Sequence, residues 1–240
     1  MRKIFSILAA LLVMAGCDSG DILAPAYAES EGGRTVSVQM CVVGLHDLDA
    51  SFTLALAAYA KADLYAIVQR AVPSSTPDST HLTVTLGNVG DAATSVRLVL
   101  AGTLRDRRLS LREWDISSLA LGDTLHADLG TLRLDTYGCL QYGLFDQACI
   151  QCHGATGKAA AGLNLSAGQA EAALVDVPAT SVDGCLRVKR GSPQESLLYQ
   201  VLAADSTVDL HFSHTDLILS HFKEEMEGVR QIVKAWIEGL

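Results

Sequence analysis

Residues 132–153 read LRLDTYGCLQYGLFDQACIQCH, and the hydrophobic period of the chain changes inside this stretch. Leu132 and Leu134 end a long region of alternation. Leu140, Leu144, Phe145 and Ala148 then fall on one helical face that runs into Cys149. Upstream, Val36, Val38, Met40 and Val42 share one side of a strand pattern, as do Leu54 and Leu56 after Phe52. Leu82, Val84 and Leu86 repeat the pattern, and so do Val96, Leu98 and Leu100, with turn clusters at Pro73-Ser74-Ser75, Gly87-Asn88 and Leu121-Gly122-Asp123. Residues 34–136 are therefore expected to form an antiparallel β-sandwich of about six or seven strands. Downstream, Leu197, Leu198, Val201 and Leu202 mark a short helix. Met226, Val229, Ile232, Val233, Trp236 and Ile237 stripe a last one. Residues 137–240 are expected to be a separate helical domain.

Composition narrows the function. Of 240 residues 49% are hydrophobic, enough for a substantial core, and the formal charge is −9. That balance excludes a nucleic-acid partner, whose phosphates call for clustered cations. It favours a basic protein partner through electrostatic steering. Six cysteines are too few for a disulfide scaffold and too many to ignore.

The N-terminus reads as an export signal. Arg2 and Lys3 precede an apolar run from Ile4 to Met14, and small residues Ala15 and Gly16 lead to Cys17. The run is shorter than the roughly 20 residues that a helix needs to span a membrane, so 1–16 fits a signal peptide. With Cys17 this segment resembles the lipobox of bacterial lipoproteins, although Met14 stands where leucine is usual. The resemblance implies lipidation of Cys17 and an exported lipoprotein held at the periplasmic face or cell surface, the outer membrane being the favoured address. Residues 17–33 lack apolar periodicity and read as a flexible tether.

Cys149-Ile150-Gln151-Cys152-His153 is the strongest chemical signal. In C-x-x-C-H two thiols add to the two vinyl groups of a haem while the following histidine reaches the iron. Covalent haem c, held by Cys149 and Cys152 with His153 as proximal ligand, is the expected cofactor. Such attachment happens outside the cytoplasm, in agreement with the signal peptide.

On these residues 137–240 resembles the single-haem class I cytochromes c attached to bacterial lipoproteins. Gly162-Leu163-Asn164-Leu165, Arg187-Val188, Gly191-Ser192-Pro193 and Trp236-Ile237-Glu238-Gly239 support the likeness. The resemblance implies an all-α cytochrome c fold with crossing terminal helices, and one-electron transfer to a redox partner rather than catalysis. One departure stands out. The family offers a Met-Pro-Pro loop before its last helix, whereas 203–222 contains neither residue, and Met226 lies in phase with the core stripe. His214 or His211 then becomes the candidate sixth ligand, His214 being preferred because Asp216 stands nearby to orient its ring. His221 reads as an exposed residue at a helix start.

Other readings stay open. An empty sixth position would make a haem-based sensor or enzyme. The sandwich could bind a surface ligand, with the haem domain as an accessory. Cys149, Cys152, His211 and His214 could instead hold zinc, although the H-x-x-H spacing is short and zinc leaves His153 unexplained. A thioredoxin-like dithiol lacks its βαβ context. Among Cys41, Cys139 and Cys185, a bond between the last two would staple the helical half. His46 with Asp47 and Asp49, and His126 with Asp128, read as loop or strand-face residues, and Trp114 and Tyr59 as core or rim.

Overall fold

In the computed structural model, alternation in the first half becomes seven strands in two sheets. Residues 32–61, 63–155, 159–203, 206, 208, 210 and 212–240 are described. The expected signal peptide, Cys17 and most of the tether lie outside them, as does His211. The strands are β1 (Arg34–Val43), β2 (Thr53–Tyr59), β3 (Val68–Ala71), β4 (Thr80–Val89), β5 (Ser95–Ala101), β6 (Arg107–Asp115) and β7 (Thr124–Arg133). One sheet has the order β4-β1-β7 and the other β3-β2-β5-β6. Inward-facing Val36, Val38 and Val42 of β1, and Leu54, Leu56, Leu98 and Leu100 of the second sheet, are buried between them. The registers bring Val38 opposite Val84 and Leu56 opposite Leu98.

Two features of the sheets depart from simple alternation. β7 pairs with β1 in parallel, Val38 opposite Ala127, after a connection that crosses from one sheet to the other. On the outer face of the second sheet, Ala55, Ala57 and Tyr59 of β2 are also buried, in a small cluster with Val99 and Ala66. A buried arginine closes one end. Arg34 donates to the carbonyls of Ile116, Gly90 and Ala93 at 2.6, 2.6 and 2.8 Å, so its burial leaves few donors unmet.

Helices follow at once. The α1 helix (Thr136–Leu140) is capped by Asp135, whose carboxylate accepts from the Gly138 amide at 2.7 Å. A π-helical stretch, Gln141–Cys149, continues into α2 (Ile150–His153). Three further short or medium helices, α3 (Ala170–Leu174), α4 (Leu197–Val201) and α5 (His214–Phe222), precede α6 (Met226–Glu238). Tyr137 of α1 and Trp236 of α6 meet at a ring-centroid distance of 5.5 Å.

The expected fold class, two domains of which the second is an all-α cytochrome c fold, is corrected here. Gly32–Leu240 is one compact unit whose main core runs through both the strand and the helical regions. Leu109 and Leu111 of β6 belong to the same buried cluster as Leu144, Phe145, Val229 and Val233. The physical reason is close approach of helix to strand. A Cβ on Gly228 of α6 would collide with the Arg108 carbonyl, and one on Gly143 with the Leu109 side chain. At the same junction the buried Glu225 accepts from the Ser110 amide at 2.9 Å and its hydroxyl at 2.7 Å, and pairs with Arg107 Nε at 2.6 Å. The helices are few and mostly of four or five residues, joined by 3₁₀ turns and by isolated bridges such as Val175–Val188 and Leu186–Ser196. They complete a β-rich unit rather than make an all-helical one.

Candidate functional site

The site is built where the π-helical stretch meets α2. Gln141, itself buried, donates to Asp146 at 2.7 Å and to the Leu165 carbonyl at 3.0 Å. The Leu165 amide in turn donates to the His153 carbonyl at 2.7 Å. These bonds hold the C-x-x-C-H segment against the chain at 163–165. A π-helical stretch is rare and recurs at functional sites.

A cavity of about 120 Å³, open to solvent, lies against this segment. Its walls are largely aliphatic, including Leu163, Leu165, Leu174, Leu198, Leu202 and Ile218. Cys149, His153, His214 and Arg187 also line it. Cys152 is exposed and is not among the lining residues, nor is Met226.

His153 and His214 face each other. Their ring centroids are 6.2 Å apart and their planes differ by 15°. Each ring is held through Nδ1 by a main-chain oxygen: the Ala160 carbonyl at 3.0 Å for His153, the Phe212 carbonyl at 3.2 Å for His214. With Nδ1 as the N–H donor, Nε2 is the lone-pair nitrogen of both rings. Two imidazoles binding one ion from opposite sides, with metal–nitrogen distances of about 2.0–2.1 Å, place their centroids about 6 Å apart. The 6.2 Å separation of the two rings is of that size.

Electrostatics favour neutral ligands. Burial, reinforced by His214, holds the His153 imidazole below its ordinary pKa, against the opposing pull of the Ala160 carbonyl. Burial likewise pushes the Cys149 thiol up to about 12, with Cys152 adding to the shift. Among the described residues no group of three or more His, Cys, Asp or Glu side chains gathers to hold a bare ion.

Arg187 is a site residue that sequence reasoning passed over as part of a supporting motif. It is 8% exposed and donates to the carbonyls of Ala173 at 2.9 Å and Ala161 at 2.8 Å. It is the one arginine or lysine among the described residues lining the cavity. A carboxylate-bearing, otherwise apolar molecule complements such a wall. No sequence signal marks an arginine as inward-facing.

Other expected features fall elsewhere. His221 lies in the last turn of α5, not at a helix start, with Nε2 3.2 Å from the side chain of Gln151. Ser213 caps α5, its Oγ accepting from the Asp216 amide at 3.3 Å, and the Phe212 carbonyl, rather than Asp216, holds the His214 ring. The pattern Ser213-x-x-Asp216 is a helix-start signal that would have placed α5 correctly. Cys139 and Cys185 are free thiols, as is Cys41, and Cys139 is fully buried. His46 lies 3.4 Å from both Asp47 and Asp78 on the surface, and His126 and Asp128 are exposed on β7. Tyr59 is fully buried, while Trp114 packs at the edge of the core. Among the described residues no helix is long and apolar enough to cross a membrane. Searched against protein families, curated proteins and solved structures, the chain matches none.

Proposed function

We propose that this protein carries one covalently attached haem c and transfers single electrons outside the cytoplasm, tethered to a membrane through a lipid on Cys17. The observation that carries the reading is the His153–His214 pair, ring centroids 6.2 Å apart, on the wall of an apolar cavity beside Cys149. Cys149 and Cys152 would hold the ring by thioether bonds. His153 and His214 would hold the metal as neutral imidazoles, and Arg187 would meet a propionate. When bound there, haem iron supplies a one-electron couple. Two nitrogen ligands place its potential below that of a His/Met centre, because methionine raises it.

The chain's own contribution is positional. The Ala160 and Phe212 carbonyls fix the tautomers, and the leucines keep water from the ring. A partner with a basic face is supported by the formal charge of −9. Steering of that kind weakens as salt is raised.

Absorption spectra of oxidised and reduced protein, exported from a host with a c-type maturation system, test the reading alongside haem staining of denaturing gels. A stained band with a low-spin spectrum that His214→Ala converts to high spin is expected. A low-spin spectrum that His214→Ala leaves intact would remove His214 from the iron, with His211 the next substitution to make. High-spin iron in the parent would favour an open sixth position. Absence of covalent haem would end the proposal.

A further inference from the structure

Each sheet has two outer strands, and an outer strand leaves a row of amides and carbonyls without ladder partners. Three of the four are engaged. The helices lie against β6: Gly228 and Gly143 pack on Arg108 and Leu109, and the Ser110 amide donates to Glu225 at 2.9 Å. The β3 and β4 edges adjoin, and Arg70 of β3 donates to the Thr85 carbonyl of β4 at 3.1 Å. The fourth is β7. Among the described residues its ladder partner is β1 alone, and its other edge meets the helical region at its last residue, where the Arg133 amide donates to the Tyr142 hydroxyl at 3.3 Å.

The inner face of β7 is unfinished in the same way. Leu125, Ala127 and Leu129 are half-buried, whereas Val36 and Val38, beside the first two on β1, are fully buried. On the outer face His126 and Asp128 are exposed. At Leu129–Gly130 the strand gains one residue against β1, with Gly130 at φ 61°, and this bulge ends the flat run that begins at Thr124.

That run is complementary to itself. A two-fold axis perpendicular to the sheet keeps inner faces together, so the antiparallel pairing of two such strands is centred on a residue. Centred on Ala127, it sets His126 opposite Asp128 of the partner subunit, and Leu125 opposite Leu129 of the partner subunit on the inner face. Centred on His126 it opposes two imidazoles, and centred on Asp128 two carboxylates. A carboxylate accepts from an imidazole N–H and repels a second carboxylate. Asp128 is already oriented, since its Oδ1 accepts from the Gly130 amide at 2.9 Å and Oδ2 is left for the imidazole.

We propose that this protein forms a two-fold dimer through the Thr124–Leu129 edge of β7, the sheet β4-β1-β7 of one copy continuing into β7-β1-β4 of the next. The occupant is a second copy because the strand itself supplies both the charge match and the leucine match. The pairing does not draw on the haem reading.

Sedimentation equilibrium of the full chain, in detergent matched to the solvent density, tests it. A monomer–dimer equilibrium in the micromolar range is expected. His126→Asp sets carboxylate opposite carboxylate, and Asp128→Lys sets an ammonium opposite each His126. Each should weaken the dimer roughly tenfold or more. An equimolar mixture of the two variants brings carboxylates opposite cations again and should pair about as tightly as the parent. Both positions are exposed, and His126→Glu and Asp128→Asn serve where the first choices fail to fold, as judged by circular dichroism. A parent that stays monomeric throughout the micromolar range, a dimer indifferent to both charge variants, or a mixture no tighter than either variant alone would each overturn the proposal.

Discussion

The strand region and the helical region solve the same problem in opposite ways. Residues 34–133 bury apolar side chains against one another: seven strands form two sheets, and the inner faces of β1, β2 and β5 reach nearly complete burial. Residues 136–240 contain mostly helices of four or five residues, too short to be stable alone, arranged around a cavity of about 120 Å³. One region closes on itself and the other closes around a space. The difference teaches that the helical region leaves a space among its short helices and leans on the sheets for rigidity. Gly143, Gly228 and Glu225 are the points where it leans.

The sharpest way to break this comparison is Glu225→Ala. It strips the carboxylate from Arg107 and Ser110 at the junction, and removing one partner of a buried ion pair costs about 3–5 kcal/mol. Because both regions share one core, urea unfolding monitored by strand and helix signals should shift as a single transition. Two separate transitions, with the strand signal unmoved, would restore independent domains.

Arg187→Ala probes the cavity side of the comparison. Two buried carbonyls, those of Ala161 and Ala173, lose their donor, a cost of about 1–3 kcal/mol in the unfolding free energy. In haem-loaded protein the reduction potential should also fall, because a positive charge beside the ring favours the reduced form. Arg187→Lys should recover part of the potential. A potential unchanged by either substitution would place the propionates elsewhere.

The strand side yields the smallest effect. Tyr59 is fully buried and its hydroxyl has no hydrogen-bond partner among the described residues. Burial raises its pKa from 10.0 to about 12, with the cations of Arg107 and Arg97 opposing the shift. Since the folded value exceeds the unfolded one, the unfolded chain gives up its proton first. The corresponding stability is complete below about pH 10 and is lost as pH rises towards 12. Unfolding midpoints across that window should fall more steeply for the parent than for Tyr59→Phe, which should be neutral or slightly stabilising at pH 7. Parallel pH profiles would contradict the assignment.

Much of this was legible because it is local. Alternation at Val36–Val42 and Val96–Leu100 marks strands, the stripe from Met226 to Ile237 marks α6, and C-x-x-C-H carries its chemistry in five consecutive residues. What escaped depends on partners far along the chain. Alternation marks a strand's faces without naming its neighbour, so the parallel pairing of β1 with β7 was not readable. A change of period near Asp135 reads as a domain boundary. Whether two regions share a core depends on close approaches such as Gly228 to Arg108, some 120 residues apart. The cavity draws on residues from Cys149 to Ile218, and only in the fold do Arg187 and His214 reach the same wall.

The central claim is covalent haem on one short peptide. Intact mass measurement of the exported protein, followed by protease digestion and sequencing of the fragment containing 149–153, tests it most directly. The account predicts one haem per chain, bonded to Cys149 and Cys152, and none on the Cys149→Ser/Cys152→Ser double variant. Free thiols at both positions in protein matured alongside an authentic haem c control would contradict it.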